Sequence, residues 1–141
     1  VRYATGLEPI AVTAQEGFKH DPEKFSTVEE SLAWQMEMPG GMVAKCTTSY
    51  SEEKNRFRME TEKGWLELSP AYAYRGIGGK TSAGDMNFPE VNQQAAQMDD
   101  FALCIKEGRP SPVPGEEGRQ DVKILQAIYQ AMKTGERVMV Q

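Results

Sequence analysis

Hydrophobic and polar positions alternate with a period of two through the first half of the chain. Leu32, Trp34, Met36 and Met38 are apolar and are separated by small or polar residues, a pattern typical of a strand with one buried face. A second alternating run covers residues 42–50 after a Pro-Gly-Gly break, so the two runs predict a hairpin. Residues 26–30, ahead of the first run, could equally cap a helix.

Shorter runs of the same kind extend the predicted sheet. They lie at residues 10–14, 56–60 and 65–68, and in a stretch around Tyr72, Tyr74 and Ile77. Because successive runs are joined by turn-like segments, the sheet is expected to be mainly antiparallel.

The period changes to that of a helix in the second half. Met98, Phe101, Ala102 and Ile105 form one helical stripe that ends near Gly108. Three prolines between residues 109 and 115 prevent the helix from continuing.

A second helix begins at about Glu116 or Asp121, reaches Lys133 and stops at Gly135. Its stripe comprises Ile124, Leu125, Ile128, Tyr129 and Met132. Residues 137–140 predict a last short strand.

These faces predict an α+β fold, a large open, mainly antiparallel β-sheet with helices packed on one face. The opposite face would carry Arg56, Arg58, Glu60 and Gln35 among apolar residues. Patterning alone leaves open whether that face is solvated or forms a subunit interface.

Composition narrows the class of protein. The 141 residues correspond to a single domain, 1–141, and 39% hydrophobic with 26% charged residues is typical of a folded globular chain. No apolar run is long enough for a membrane span. A net charge of −5 with scattered Lys and Arg argues against nucleic-acid binding.

Candidate chemistry is sparse. Cys46 and Cys104 match no metal or redox spacing, so we expect two buried free thiols, with a disulfide between them as the alternative. His20 is the only histidine and lies in a polar, turn-like stretch, so there is no zinc ligand set. Gly79-Lys80-Thr81 lacks the earlier glycine of a phosphate-binding loop and is interpreted as flexible.

Arg75 beside Tyr72 and Tyr74 is the one polar feature that suggests a ligand. A guanidinium next to aromatic rings and a Gly-rich loop can bind a sugar-like polyol. The alternative is ordinary strand packing with an exposed arginine.

Several segments, in order along the chain, resemble one oxidoreductase family. They are Gly6-Leu7-Glu8-Pro9, Ser49-Tyr50-Ser51, the run 92–102 followed by Gly108-Arg109-Pro110, and residues 114–121. Together they resemble the C-terminal domain of the Gfo/Idh/MocA oxidoreductases, closest to the glucose–fructose oxidoreductase branch.

The resemblance implies a two-domain parent. Such enzymes pair an N-terminal Rossmann domain, which binds NAD or NADP, with a C-terminal α+β domain whose sheet commonly forms the dimer or tetramer interface. This chain has neither the Rossmann motif nor the Glu-Lys-Pro motif, and the family's second catalytic motif would precede Arg2. The resemblance therefore gives no catalytic, cofactor-binding or metal-binding residue here. The candidates for lining the substrate pocket, which flank the Gly-rich loop and the start of the first long helix, are Tyr74, Arg75, Asn92 and Gln93.

The resulting hypothesis is the C-terminal domain fragment of an NAD(P)-dependent oxidoreductase acting on a sugar, polyol or related substrate. It would supply pocket walls and the interface of a homodimer or homotetramer, with no cofactor and no catalysis of its own. The alternative is a free-standing binding or oligomerisation module. The expected location is cytoplasmic, with a periplasmic parent left open.

Overall fold

The computed structural model describes residues 1–140, which divide into two compact units, residues 1–54 with 113–140 and residues 55–112. The prediction of a single domain over 1–141 stays a prediction. In chain order the helices and strands are α1 (Arg2–Thr5), β1 (Ala11–Glu16), β2 (Ser31–Glu37), β3 (Val43–Ser49), β4 (Phe57–Thr61), β5 (Gly64–Leu68), β6 (Gly79–Thr81), β7 (Gly84–Met86), α2 (Gln93–Glu107), α3 (Gly115–Thr134) and β8 (Val138–Met139).

The first unit contains an antiparallel sheet in the order β3-β2-β1-β8. Its β2–β3 hairpin pairs Trp34 with Cys46, and the turn uses Gly40 and Gly41 at φ of 75° and 81°. Those left-handed values favour glycine. The predicted hairpin is confirmed.

The core of this unit lies between one sheet face and α3. Val12, Leu32, Met36 and Met38 form the sheet side. Ile124, Ala127, Ile128 and Ala131 form the helix side. The alternation in β2 therefore predicted its buried side. The predicted stripe of α3 contains the buried Ile124 and Ile128, but its Leu125 and Tyr129 are 51% and 46% exposed.

Both ends of α3 follow from the sequence. The helix begins at Gly115, close to the earlier of the two predicted starts, with Glu116 and Glu117 in its first turn, where carboxylates favour the helix dipole. It ends at Gly135, whose φ of 72° lets its N–H reach the Ala131 carbonyl at 2.8 Å.

The link between β1 and β2 is organised by a buried carboxylate. Glu30 is 2% exposed, and its side chain accepts hydrogen bonds from the backbone N–H groups of His20 (2.6 Å) and Asp21 (3.1 Å) and from the Ser51 hydroxyl. The hydrogen bond from Ser51 is the main cause that lowers the pKa of Glu30. Residues 26–30 form no helix, so the alternative of a helix cap there is wrong.

Helix α1 is fastened to α3 by one arginine. The Arg2 side chain is 15% exposed and pairs with Glu8, Glu117 and Asp121 at 2.7 to 2.8 Å. The Glu8 hydrogen bond is the largest of the causes that raise the pKa of Arg2, so the guanidinium stays charged. Three carboxylates around one cation form a network rather than an isolated surface pair.

Arg2→Ala should lower the free energy of unfolding by about 1 kcal/mol, near the upper end for exposed ion pairs, because three partners lose one shared cation. Urea denaturation monitored by circular dichroism measures the change. Arg119→Ala is the matched control, since Arg119 is exposed on the same α3 and has no ion pair among residues 1–140. Equal changes in the two variants would contradict a structural role for the network.

The second unit contains an antiparallel sheet in the order β4-β5-β6-β7. One of its faces is charged: Glu67 accepts from Arg56 and Arg58, and the Arg58 guanidinium lies 4.6 Å from the Trp65 ring centroid. The α+β class with antiparallel sheets is confirmed, and the strands are distributed over two four-stranded sheets.

Two sequence interpretations of this unit are wrong. The stretch around Tyr72, Tyr74 and Ile77 is not a strand, because the Asn55 side chain takes the N–H groups of Ala71 and Tyr72 that a ladder would need. The segment 79–81 is not a flexible loop but strand β6, paired on both sides. Gly79 allows close packing there, since a Cβ would lie 2.8 Å from Leu68 Cδ2 and the Leu68 side chain would have to shift.

Helix α2 departs from the prediction in what it buries. Its N-terminus is capped by the Asn92 side chain, which accepts from the Ala95 N–H at 3.1 Å, and Gly108 ends it at a φ of 65°. Cys104 is its one buried residue in the described chain, whereas Phe101 is 58% and Ile105 is 70% exposed. The predicted apolar stripe is therefore uncovered within residues 1–140.

Both cysteine thiols are free, as predicted, although Cys46 is half-buried and only Cys104 is fully buried. Burial raises the pKa of the Cys46 thiol, which keeps it protonated and unreactive at neutral pH. Neither α2 nor α3, nor any other helix within residues 1–140, has the length and apolarity that crossing a bilayer requires.

Candidate functional site

A cleft of about 400 Å³ lies within the second unit. One wall is the loop after β5, which contributes Tyr74 and Arg75, and the other is the segment that leads into α2. The complete lining is Tyr74, Arg75, Gly76, Ile77, Phe88, Pro89, Glu90, Val91, Asn92 and Gln93. All four residues nominated from the sequence line this one cleft.

Hydrogen bonds hold the loop wall in place. Asn55 Oδ1 accepts from the N–H groups of Ala71 (2.8 Å) and Tyr72 (2.6 Å), and the Ser69 N–H donates to the Gly78 carbonyl at 2.9 Å. The loop is thus closed at its base and tied near its middle. Tyr74 and Arg75 are presented from an anchored segment.

The two walls are joined directly by Gln93. Its Nε2 donates to the Ala73 carbonyl at 3.1 Å, so its role in this structure is to hold the loop against the start of α2. Asn92 uses its Oδ1 as the helix cap, which leaves its amide N–H groups available to a ligand. Of the two nominated amides, Asn92 is therefore the better ligand donor.

The cleft combines aromatic surface with one cation and one anion. Tyr74 and Phe88 are both largely exposed, so their ring faces are open to a ligand. Arg75 and Glu90 line the same cleft, and neither makes an ion pair or side-chain hydrogen bond with any residue in 1–140. Their formal charges cancel, so the lining carries donors and acceptors without a net charge.

Sequence reasoning missed Phe88, Glu90 and Val91 as cleft residues. They belong to a Pro-containing segment with no periodicity, and nothing in the sequence shows that this segment faces the Tyr74 loop. The signal that could have found them is proximity: an aromatic and an acid within four residues of the nominated Asn92.

A second cavity, of about 430 Å³, lies in the first unit. We call it the α3 groove. It is bounded by α3 and the β2–β3 hairpin and is lined by Glu29, Leu32, Trp34, Thr48, Ser49, Tyr50, Leu125, Ile128 and Tyr129. The Tyr129 hydroxyl donates to Glu29 Oε1 at 2.7 Å, which raises the pKa of Tyr129.

Metal and nucleophilic chemistry have no support in the part of the chain that the structure describes. No cluster of three or more His, Cys, Asp or Glu side chains suited to a metal occurs within residues 1–140. His20 is exposed, and its ring makes an edge contact with Phe18 at 5.2 Å between centroids. The interpretation of His20 as a surface residue is confirmed.

The family follows from comparison with known proteins. A protein-family model described as the C-terminal alpha/beta domain of an oxidoreductase family, Gfo/Idh/MocA, matches residues 1–140. The chain belongs to this family. The Gfo/Idh/MocA resemblance found in the sequence is thereby confirmed.

Solved structures agree with this Gfo/Idh/MocA assignment. An aldose–aldose oxidoreductase from Caulobacter crescentus, complexed with glycerol, is 35% identical, with a TM-score of 0.91 over 98% of this chain and 43% of that chain. A scyllo-inositol dehydrogenase from Lactobacillus casei, with NAD(H) and scyllo-inositol bound, is 20% identical with a TM-score of 0.72, over 99% of this chain and 44% of its own. The latter likeness supports the fold alone.

A curated relative is likewise much longer than this chain. The NADP(+)-dependent D-xylose 1-dehydrogenase of Haloarcula marismortui is 22% identical over 144 residues, which cover 94% of this chain and 38% of the relative. The chain therefore spans less than half the length of the Gfo/Idh/MocA proteins that it matches.

Proposed function

We propose that this chain is the substrate-binding part of an NAD(P)-dependent oxidoreductase that acts on a sugar, polyol or related substrate. It would contribute one wall of the substrate pocket and the interface of a homodimer or homotetramer, without catalysing the reaction alone. The observation that carries this proposal is the cleft itself, where Tyr74, Arg75 and Asn92 converge in a chain related to aldose and inositol oxidoreductases.

The chemistry of the cleft supports a neutral polyhydroxylated ligand. The Arg75 guanidinium can donate two parallel hydrogen bonds to neighbouring hydroxyl oxygens, and the Glu90 carboxylate can accept from hydroxyl groups. The rings of Tyr74 and Phe88 offer apolar faces to the C–H side of a sugar. A strongly anionic substrate would be attracted by the Arg75 guanidinium and repelled by the Glu90 carboxylate.

The described residues do not fit a nicotinamide cofactor. A dinucleotide site needs a Gly-rich turn between a strand and a helix, but the glycines at 76, 78 and 79 lead into strand β6, which pairs on both sides. We therefore assign cofactor binding and hydride transfer to an N-terminal domain of the whole protein. The NADP(+) and NAD(H) relatives support a nicotinamide cofactor in the parent.

The substrate-wall proposal is tested in the whole protein with Arg75→Ala. We expect kcat/KM to fall by about 10- to 100-fold, mainly through KM, because a charged donor to the substrate is lost. Lys63→Ala is the matched control, since Lys63 lies in the β4–β5 turn outside the cleft. An unchanged KM in Arg75→Ala would refute the assignment of this cleft.

The cofactor assignment is tested by titrating NADH and NADPH into residues 1–141, followed by nicotinamide fluorescence. We expect no saturable binding to this chain and saturable binding to the whole protein. Micromolar affinity of the 141-residue chain would contradict the division of labour between the domains.

The free-standing module is the competing function. An open reading frame that begins near Val1 favours it, whereas about 200 further upstream residues with a Gly-rich fingerprint favour the oxidoreductase. Sedimentation of the chain tests the interface in both cases: a strict monomer at high concentration would contradict sheet-mediated association.

A further inference from the structure

Two oppositely charged side chains line the cleft of the second unit without pairing with each other. Arg75 belongs to the loop wall, and Glu90 belongs to the segment that leads into α2. Both are exposed, and among residues 1–140 neither makes an ion pair or a side-chain hydrogen bond. Each charge is therefore available to a ligand that enters the cleft.

Arg75 differs in this respect from the other arginines of the same unit. Arg56 and Arg58 both pair with Glu67, and Arg109 pairs with two carboxylates. A guanidinium carries five N–H donors and readily takes a carboxylate that lies within reach. The cleft thus keeps apart two groups that would otherwise neutralise each other.

Both charges are attached to restrained backbone. The loop that carries Arg75 is closed at its base by a backbone hydrogen bond of 2.9 Å. Glu90 follows Pro89, whose ring fixes φ, and lies two residues before the Asn92 side chain that caps α2. Groups whose positions are largely set before a ligand arrives lose less entropy on binding, so more of their interaction energy contributes to selectivity.

An unpaired arginine alone would make the cleft selective for anions. A guanidinium binds a carboxylate or a phosphate through two parallel charged hydrogen bonds, which are stronger than hydrogen bonds to a neutral hydroxyl. The Glu90 carboxylate opposes this preference, since at a separation of about 7 Å the repulsion between two anions in a partly solvated cleft weakens binding by about 10-fold or more. An uncharged hydroxyl group avoids that repulsion and can hydrogen-bond to either side chain.

We propose that Glu90 is a specificity-determining residue, which excludes sugar acids and sugar phosphates from the cleft and so restricts the substrate to uncharged sugars and polyols. This inference rests on the proposed function, because it takes the cleft as the substrate site. Arg75 has the corresponding effect on cationic amino sugars. Removal of the anion should therefore favour anionic sugars, and removal of the cation should favour cationic sugars.

The test compares three sugars that differ in charge: D-glucose, D-glucuronate and D-glucosamine in its protonated form. Their dissociation constants for the whole protein are measured by isothermal titration calorimetry. In Glu90→Gln we expect the ratio of the glucuronate to the glucose dissociation constant to fall by about 10-fold. In Arg75→Gln the ratio of the glucosamine to the glucose constant should fall by a similar factor.

Glu62→Gln is the matched control, because it removes the same charge from the exposed β4–β5 turn outside the cleft. Its three dissociation constants should equal those of the native protein. If Glu90→Gln changes the glucose and glucuronate constants by the same factor, the proposal is overturned. A lower melting temperature of Glu90→Gln with unchanged ratios would also overturn it, since Glu90 would then act only on the stability of the fold.

The Arg75→Gln variant separates this proposal from the proposed function. If Arg75→Gln weakens glucose binding while Glu90→Gln leaves the ratios unchanged, the cleft remains the substrate site and only the role of Glu90 is refuted. If neither variant changes any dissociation constant, or if the whole protein binds none of the three sugars, the proposed function and this inference are both contradicted.

Discussion

Replacing Ile124 by Ala should lower the free energy of unfolding of the 141-residue chain by about 3 kcal/mol. Replacing a buried isoleucine by alanine usually costs about 2–5 kcal/mol, because it leaves a cavity in the core. Ile124 is 6% exposed and packs in the cluster that joins α3 to β1 and β2. The removed methyl groups leave a void that the sheet on one side and the helix on the other cannot close. Urea denaturation followed by helical circular dichroism measures the change.

Ile105→Ala is the matched control, because it removes the same atoms from the other long helix. The sequence places both isoleucines on apolar helical stripes, yet Ile105 is 70% exposed on α2. We expect a loss below about 1 kcal/mol. If Ile105→Ala destabilises the chain as much as Ile124→Ala, then Ile105 is buried against an apolar surface in solution, which would contradict its exposure on α2.

This pair of isoleucines also shows what periodicity can predict. The spacing of apolar residues fixes which side of a helix prefers burial, and it correctly gave the core side of α3 and of β2. It does not say whether a surface exists to cover that side. For α2 no part of residues 1–140 covers that side, and no local pattern in the sequence could show that.

The errors around the Gly-rich segment have a different cause. Tyr72 and Tyr74 have the residue types of a strand, but a side chain 17 positions earlier, Asn55, takes the backbone donor of Tyr72. Gly79 suggests flexibility, but its missing Cβ is what allows Met86 and Leu68 to approach the strand. In both cases a specific long-range contact outweighs local propensity.

The sequence predicted only part of the candidate site, because long-range contacts also complete the cleft. Tyr74 and Arg75 were found by residue type, and Asn92 and Gln93 by their place at a helix start. Glu90 and Phe88 lie on the segment that Gln93 joins to the loop through the Ala73 carbonyl. That Arg75 and Glu90, of opposite charge, line one cleft is thus a property of the tertiary structure.

The Glu30→Gln variant should lower the melting temperature of the chain by about 5 °C or more at pH 7, because the carboxylate serves three donors from a buried position. His20 and Asp21 both donate to Oε2, and the Ser51 hydroxyl donates to Oε1. An amide keeps the size of the side chain and one acceptor oxygen for the two backbone donors, but it is uncharged and presents N–H groups to Ser51 in place of the second carboxylate oxygen. Differential scanning calorimetry measures the change, and Glu23→Gln, an exposed residue of the same link, is the control.

The pH dependence of the same variant gives a second, independent result. Since the pKa of Glu30 is lowered from 4.5 in the folded chain, its ionised form stabilises the fold above about pH 4.5, and this contribution is lost as the pH falls through the folded pKa. An electrostatic contribution from His20 also lowers the pKa of Glu30. Gln cannot titrate.

The difference in melting temperature between the native chain and Glu30→Gln should therefore be constant from pH 7 to about pH 5 and shrink at lower pH. Other carboxylates with lowered pKa, such as Glu8 and Glu37, titrate in both proteins and cancel in the difference. A difference in melting temperature that stays constant down to the acid unfolding transition would mean that the charge of Glu30 does not contribute to the stability of the fold.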